Sequence, residues 1–423
     1  MDKNSLTRQL NLLDATGIGV GAVVGAGIFV ITGVAAAVTG PSLILALVLA
    51  AVAATCNGLS SAQLAAEMPA SGGTYAYASE KLSPHAGFAA GFMFLVSKLS
   101  AGSVVALGFG NAFAAFVPGT SPFLVTSLLV LLLTVLNLFG IKKAGRINVV
   151  IVALTVTALI LFSGRGLAAI DPQNFSPFFT NGVPGLLEGA ALMFFAFTGY
   201  ARITTLGEEV INPKKTIPQA VIITLAITSL LYLAVAIVSV GVLGSSELGL
   251  SPAPLFFAAE RIGAGWLVTL LSLASLTALF GVLLSQIAGI SRMTFAMAKG
   301  GDLPRIFERV RRQVPAIGVV TSGVAIWLLS LVGSIPFIAK TASFSILLYY
   351  SLANLAALRQ TKTHRIVPKA VSVIGLITCL VLAASLPPDT ILLGLAVLAG
   401  GFILRTAYRA FARQRAESDA GEQ

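Results

Sequence analysis

Gly17-Ile18-Gly19-Val20-Gly21-Ala22-Val23-Val24-Gly25-Ala26-Gly27-Ile28-Phe29 lies inside the first long apolar segment of the chain, where so many glycines need a reason. Each glycine weakens a helix by about 1 kcal/mol relative to alanine. Gly17, Gly21 and Gly25 repeat at a four-residue spacing, which in a membrane lets two helices approach closely. Gly27 follows Gly25 by only two residues, does not share that face, and predicts a local break. Phe194-Phe195-Ala196-Phe197-Thr198-Gly199-Tyr200, in the sixth apolar segment, again places a glycine near mid-segment. Interrupted helices in first and sixth position are what an inverted repeat of five helices plus five would give.

The segments around these stretches read as membrane spans. The 423 residues are 57% hydrophobic and only 10% charged, whereas a soluble globular chain is roughly a quarter charged. Long uncharged runs recur, among them Pro122 to Gly140, Val149 to Ser163, Ile217 to Leu243 and Trp266 to Ile290, and about 20 apolar residues cross a bilayer as a helix. Alternation of such runs with polar breaks predicts spans over 14–39, 41–66, 86–117, 122–139, 147–163, 184–206, 217–243, 264–298, 314–335, 341–358, 366–386 and 389–408. The fold expected is therefore an all-α integral membrane protein of about twelve transmembrane helices. Residues 1–13 form an N-terminal segment, 14–358 a transport core with halves 14–163 and 184–358, 366–408 two additional helices, and 409–423 a tail. Within the tail, Ala416 to Gln423 is polar and short and is expected to be disordered. The first span lacks a small-residue cleavage site and is followed at once by another, so a removable signal peptide is not expected. Cys56 and Cys379 sit in apolar segments far apart, which argues against a disulfide framework.

The net charge of +11 needs no nucleic-acid partner. With both termini cytoplasmic, all but six of the 27 basic residues fall in cytoplasmic segments; Arg165, Arg261 and Lys340 lie outside and Lys98, Arg202 and Arg292 within spans. This is the positive-inside bias of a membrane protein, here expected at a plasma membrane, the bacterial inner membrane.

A broken helix exposes half-helix ends. The N-terminal end offers free N–H groups to an anion and the C-terminal end offers carbonyls to a cation, a pairing that suits the carboxylate and ammonium of an amino acid.

Four stretches carry a resemblance to a known family: Gly25-Ala26-Gly27-Ile28-Phe29; Ala65-Ala66-Glu67-Met68-Pro69-Ala70-Ser71-Gly72-Gly73-Thr74-Tyr75; Phe194 through Gly199 followed by Glu208-Glu209-Val210-Ile211-Asn212-Pro213; and Ser291-Arg292-Met293-Thr294-Phe295-Ala296-Met297-Ala298 leading to Gly301-Asp302-Leu303-Pro304. In this order the sequence resembles the amino acid–polyamine–organocation superfamily of permeases, with the leucine-transporter-like fold. The resemblance implies that amides around Ala26 and Gly27, between Gly25 and the carbonyl of Val24, receive a substrate carboxylate. It implies too that carbonyls of Phe195, Ala196 and Thr198, beside Gly199, receive the ammonium, with Phe195 as an aromatic lid. The chain departs from the family at Thr155, where some proton-linked members carry a lysine, and at Ala201, where many cationic amino acid transporters carry an acid.

Lys98 lies about 12 residues into the third span, which at ~1.5 Å per residue is near mid-membrane. Ionisable residues at that depth are costly and mark pathways, so Lys98 is the candidate for coupling, as a proton-exchanging amine or as a stand-in for a bound cation, with a structural polar contact as the plainer role. Glu67, Arg202, Glu208 and Glu209 are gating candidates at the cytoplasmic ends of spans. Ser285, Ser291, Ser343 and Ser345 are expected to bond to their own helices, and His85 and His364, isolated from acids and cysteines, make no metal site.

The function expected is secondary active transport of small or neutral amino acids by alternating access, coupled to protons through Lys98. No acidic residue is evident in the middle of a span to receive a cationic side chain. A polyamine or cationic amino acid exchanger is the alternative, and a channel would lack the charged ring that selects ions. An enzyme would need a nucleophile with its base at membrane depth, and no cofactor is expected. The partners are the substrate, the bilayer and, through Lys98, protons; oligomeric state is not legible.

Overall fold

The computed structural model describes residues 9–68, 72–140, 144–204, 206, 209–311, 314–361, 363 and 365–421. Among these the chain is helical throughout, with two isolated β-bridges, Leu10 with Val210 and Arg311 with Val314, and no sheet.

Helix α1 (Leu12–Val23) starts on a reciprocal cap in which Asn11 and Asp14 exchange side-chain-to-backbone bonds, both 3.0 Å long. It ends where Val24 turns extended, at φ −74° and ψ 100°, and the chain resumes as a π-helical turn over Gly27–Ile31 and then α2 (Thr32–Thr39). Gly40, at φ +67°, supplies the left-handed residue for a sharp reversal with Pro41 behind it, and α3 (Leu43–Glu67) follows. The apolar stretch Leu12–Glu67 is 56 residues long, about 84 Å if straight, so the break and the reversal let one sequence segment traverse a ~30 Å hydrocarbon layer more than once.

Short α4 (Thr74–Lys81) leads to α5 (Pro84–Phe116), capped by Ser83 with proline in its first turn. The same Ser-then-Pro start opens α6 (Pro122–Leu138). After α7 (Ala144–Gly166) comes α8 (Gly182–Phe197), a 3₁₀ turn at Thr198–Tyr200 and α9 (Ala201–Thr204), so the sixth apolar segment is interrupted as the first is. The chain goes on through α10 (Pro213–Leu250), bent at Gly244 (φ +73°), α11 (Pro254–Ile262), α12 (Gly265–Lys299), α13 (Ala316–Val332), α14 (Ile335–Leu358), α15 (Lys369–Ala384) and α16 (Pro388–Gly421).

Eight stretches are long and apolar enough to cross a membrane, and α6, α13 and α15 are shorter apolar helices. The outermost helices expose bulky apolar side chains, such as Leu131 (63%) on α6 and Ile403 (69%) on α16. A belt of this kind would be an aggregation surface in water and is an ordinary surface in lipid. Helices α1, α2, α3, α8 and α10 pack together, α5, α12 and α13 form a second group with α6, and α14 bridges α5, α3 and α8. The α2 and α8 halves are enclosed: every residue from Gly27 to Ala36 and from Gly189 to Phe197 is buried.

Two boundaries differ from expectation. The tenth span starts at Ile335, not 341, so Lys340 lies inside α14: its charge read as a polar break, but an ion pair across to α8 lets the helix keep it. The tail expected to be disordered continues α16 to Gly421, because nothing in Arg409 to Gly421 breaks a helix until the last glycine.

Candidate substrate-binding site

The two interruptions meet at backbone contact. A β-carbon on Gly27 would lie 2.4 Å from the Ala196 Cβ and 3.1 Å from its carbonyl oxygen, and one on Gly199 would lie 2.1 Å from the Ala22 oxygen and 2.5 Å from the Val23 nitrogen. Glycine is thus needed at both crossing points, which explains the Gly27 that a packing stripe does not. Gly25 faces α12, where Val282 Cγ2 would be 2.7 Å from a β-carbon.

The backbone at the break is selectively satisfied. Val24 donates to Val20 at 2.8 Å, the Gly25 carbonyl accepts from Ile28 and Phe29, and the Val23 carbonyl accepts from the Tyr232 hydroxyl at 2.8 Å. Ala26 and Gly27, the first residues of the resumed helix, are both buried. They open the second half of the interrupted helix, where the macrodipole is positive. The Ala196 carbonyl lies beside Gly27. The other sixth-span carbonyls are partly engaged: Phe195 accepts the Thr198 hydroxyl at 2.8 Å and the Thr198 amide, and Thr198 accepts from Ala201. The Phe195 ring is buried in α8. The backbone groups of the two interruptions are thereby gathered at one place.

Residues 10–402 match the amino acid permease family. The chain belongs to that family. An uncharacterized transporter of Mycobacterium tuberculosis is 38% identical over 99% of this chain and 95% of its own length. The methylthioribose transporter of Bacillus subtilis is 30% identical over 85% of this chain and 82% of its own, and that organism's branched-chain amino acid permease is 28% identical over 87% and 84%. As a member of the amino acid permease family the chain is a multi-pass membrane transporter and not an enzyme.

In this permease Lys98 stands one helical turn from the crossing. Val282 touches Gly25, and Gln286, four residues on along α12, donates its amide to the Lys98 carbonyl at 2.9 Å. The half-buried amine lies 5.7 Å from the Phe94 ring centroid, with no carboxylate beside it among the described residues. Thr155 is no substitute, since its hydroxyl folds back onto Ile151 at 2.7 Å. Ser285, Ser291 and Ser345 likewise bond within their own helices, whereas the Ser343 hydroxyl is buried with no partner described.

The gating candidates separate. Glu67 accepts from Lys81 and from Gln360, each at 2.6 Å, so it joins the end of α3 to α4 and to the segment after α14 instead of meeting the other acids. Arg202 is exposed, in the electrostatic neighbourhood of Arg292 and Glu209. Glu209 acts through its backbone, its carbonyl accepting from Gln9 and Leu10. Glu208 and His364 lie outside the described residues.

Two ionic features escaped sequence reasoning. Asp302, 3% exposed, accepts from Arg405 at 2.6 Å, Arg409 at 2.8 Å and the Tyr75 hydroxyl at 2.9 Å. Arg405 also reaches the Pro84 carbonyl and the His85 ring and stacks on Phe88. Burial and the Asp302 bond push the Tyr75 phenol above the ordinary tyrosine range, keeping it a donor. Glu188 on α8 pairs with Lys340 on α14; it sits near the start of the expected span 184–206, and its partner was placed outside the spans. The acid at Asp302 was visible in a motif, but its partners are 103, 107 and 227 residues away.

Proposed function

We infer that this permease carries amino acids with small or neutral side chains, by alternating access, through the crossing of its two interrupted helices. One observation carries the inference: the buried start of the resumed helix at Ala26 and Gly27 meets the sixth-span backbone at Ala196, so the two interruptions face one another. The amides at that helix start recognise the carboxylate, and the Ala196 carbonyl with the free valence of its neighbours takes the ammonium. A neutral side chain is favoured because Ala201 supplies no acid; the likeness to a branched-chain amino acid permease supports the same choice.

The architecture supporting this function is twelve spans: α1 with α2, then α3, α5, α6, α7, α8 with α9, α10, α12, α13, α14, α15 and α16. The first ten are two inverted halves, 14–163 and 184–358. Both termini are cytoplasmic in a plasma membrane, which puts Glu67, Lys81, Asp302 and Arg405 at the inner face and Gly40, Gly182 and Lys340 toward the outer. Lys98 couples transport to protons.

Purified protein mixed with each of the twenty amino acids, methylthioribose and common polyamines should show a rise in melting temperature for neutral amino acids, since a ligand binding only the folded state stabilises it by mass action. The same compounds should compete for saturable uptake in proteoliposomes. A shift with methylthioribose alone, or with polyamines alone, would replace the substrate class.

A further inference from the structure

Glu188 and Lys340 meet at 2.8 Å with side chains only 17% and 23% exposed. The other outer-end pair, Glu247 with Arg261, is half-exposed at 50% and 55%, as a surface pair normally is. Glu188 is the seventh residue of α8 and Lys340 the sixth of α14, so both lie roughly 8–10 Å inside their helix ends. Two charges removed from water at that depth are tolerated when they pair, and such pairs mark pathways.

The helices that they join are the informative part. Going inward from Glu188, α8 reaches Phe195 and Ala196 in two turns. At the level of the pair, α8 also rests on the end of α2: the Asn181 amide donates to the Val38 carbonyl at 2.6 Å, and a β-carbon on Gly189 would fall 1.8 Å from Thr39 Cγ2. The outer halves of both interrupted helices and α14 are therefore gathered at one place, directly above the crossing. Beside them, between Phe29, Gly108, Pro252 and Ser275, a cavity with room for about one water molecule remains, and every residue beneath the pair from Gly189 to Phe197 is buried, so the outer side is shut to a solute in this structure.

Resting on the alternating-access function above, we propose that the Glu188–Lys340 ion pair is the outer lock of the transporter: it holds α8 against α14 in the outward-closed state and separates when the outer route opens. Neither residue binds substrate; each acts by positioning its helix.

The test uses full-length protein in membranes, with Cys56 and Cys379 replaced by alanine and Leu192→Cys as the probe. Leu192 lies one turn below Glu188 and is fully buried. An impermeant maleimide added from outside should label Leu192→Cys slowly, and Glu188→Gln or Lys340→Met should speed labelling by roughly fivefold or more, the size of a typical conformational coupling. The exchange Glu188→Lys with Lys340→Glu restores the attraction and should return labelling toward the starting rate. In a separate pair, Glu188→Cys with Lys340→Cys, a bifunctional methanethiosulfonate should stop uptake until reductant is added. Unchanged labelling in both single variants, with only a lower melting temperature, would make the pair a structural pin and overturn the lock, as would a double exchange no slower than the singles. Labelling requires no substrate, so the lock stands or falls even where no amino acid proves to be carried.

Discussion

At the residue scale, Gly27 and Gly199 make the sharpest predictions because each contact is with backbone, which cannot swing aside. Gly27→Leu should abolish uptake, at least tenfold below wild type, while protein still reaches the membrane; Gly199→Ala, adding one methyl against the Ala22 carbonyl, should also fail. Normal uptake by Gly27→Leu at normal expression would move the site elsewhere. Lys98 makes a chemical prediction. Lys98→Met keeps the stem against Phe94 and removes the titrating group, so uptake measured between about pH 5 and 9 should lose its dependence on pH and on an imposed proton gradient. Full proton-driven uptake in that variant excludes the coupling role. Activity kept in Lys98→Arg with little pH dependence from the start would mark a fixed charge standing in for a cation. Gly27 was legible because two glycines too close together fit no packing stripe, and Lys98 because its depth follows from counting. Glu188 was not, since it falls near the start of the expected span 184–206 and nothing local points to its partner on α14.

At the element scale, the last helix is not a mere appendage. Arg405 and Arg409 bind Asp302, which also holds Tyr75 of α4, while Glu67 holds the other end of α4 through Lys81. One short helix is thus fastened at both ends. Asp302→Asn leaves Arg405 buried without its counter-charge, a change that typically costs about 3–5 kcal/mol, so the melting temperature should fall clearly. Asp302→Asn combined with Arg405→Leu should recover part of the loss, because the stranded charge is gone. A double variant no better than the single would show that the network is held by packing against Phe88 and not by charge. None of this was readable beforehand: α4 and α16 are more than three hundred residues apart in sequence, and no local pattern relates them.

For the whole molecule, orientation follows from charge. Single cysteines at Gly72 and Lys214 should be inaccessible to an impermeant thiol reagent outside sealed cells and reactive once the membrane is opened; labelling from outside would invert the topology and move the proposed lock to the inner face. The helical class and the two interruptions were legible, since hydrophobic runs and glycine density are local properties. Helix ends were less so. The seventh span, expected over 217–243, runs as α10 from Pro213 to Leu250, because a helix continues into the polar boundary until a glycine, a proline or a cap stops it.

The bridge between Leu10 and Val210 has a practical side. Gln9 and Leu10 donate to the Glu209 carbonyl and Ile211 donates to the Leu10 carbonyl, all near 2.9–3.0 Å, so main-chain bonds stitch the entry to α1 to the segment leaving α9. No side-chain truncation can unpick that seam, whereas Ile211→Pro would remove a donor and should. The two interrupted helices consequently share a handle at the N-terminal entry to α1, and whatever is attached to the N-terminus pulls on both. A purification tag or fluorescent partner fused there would load the moving parts of the carrier, while the same cargo beyond Gly421 would hang from a helix already moored by Asp302.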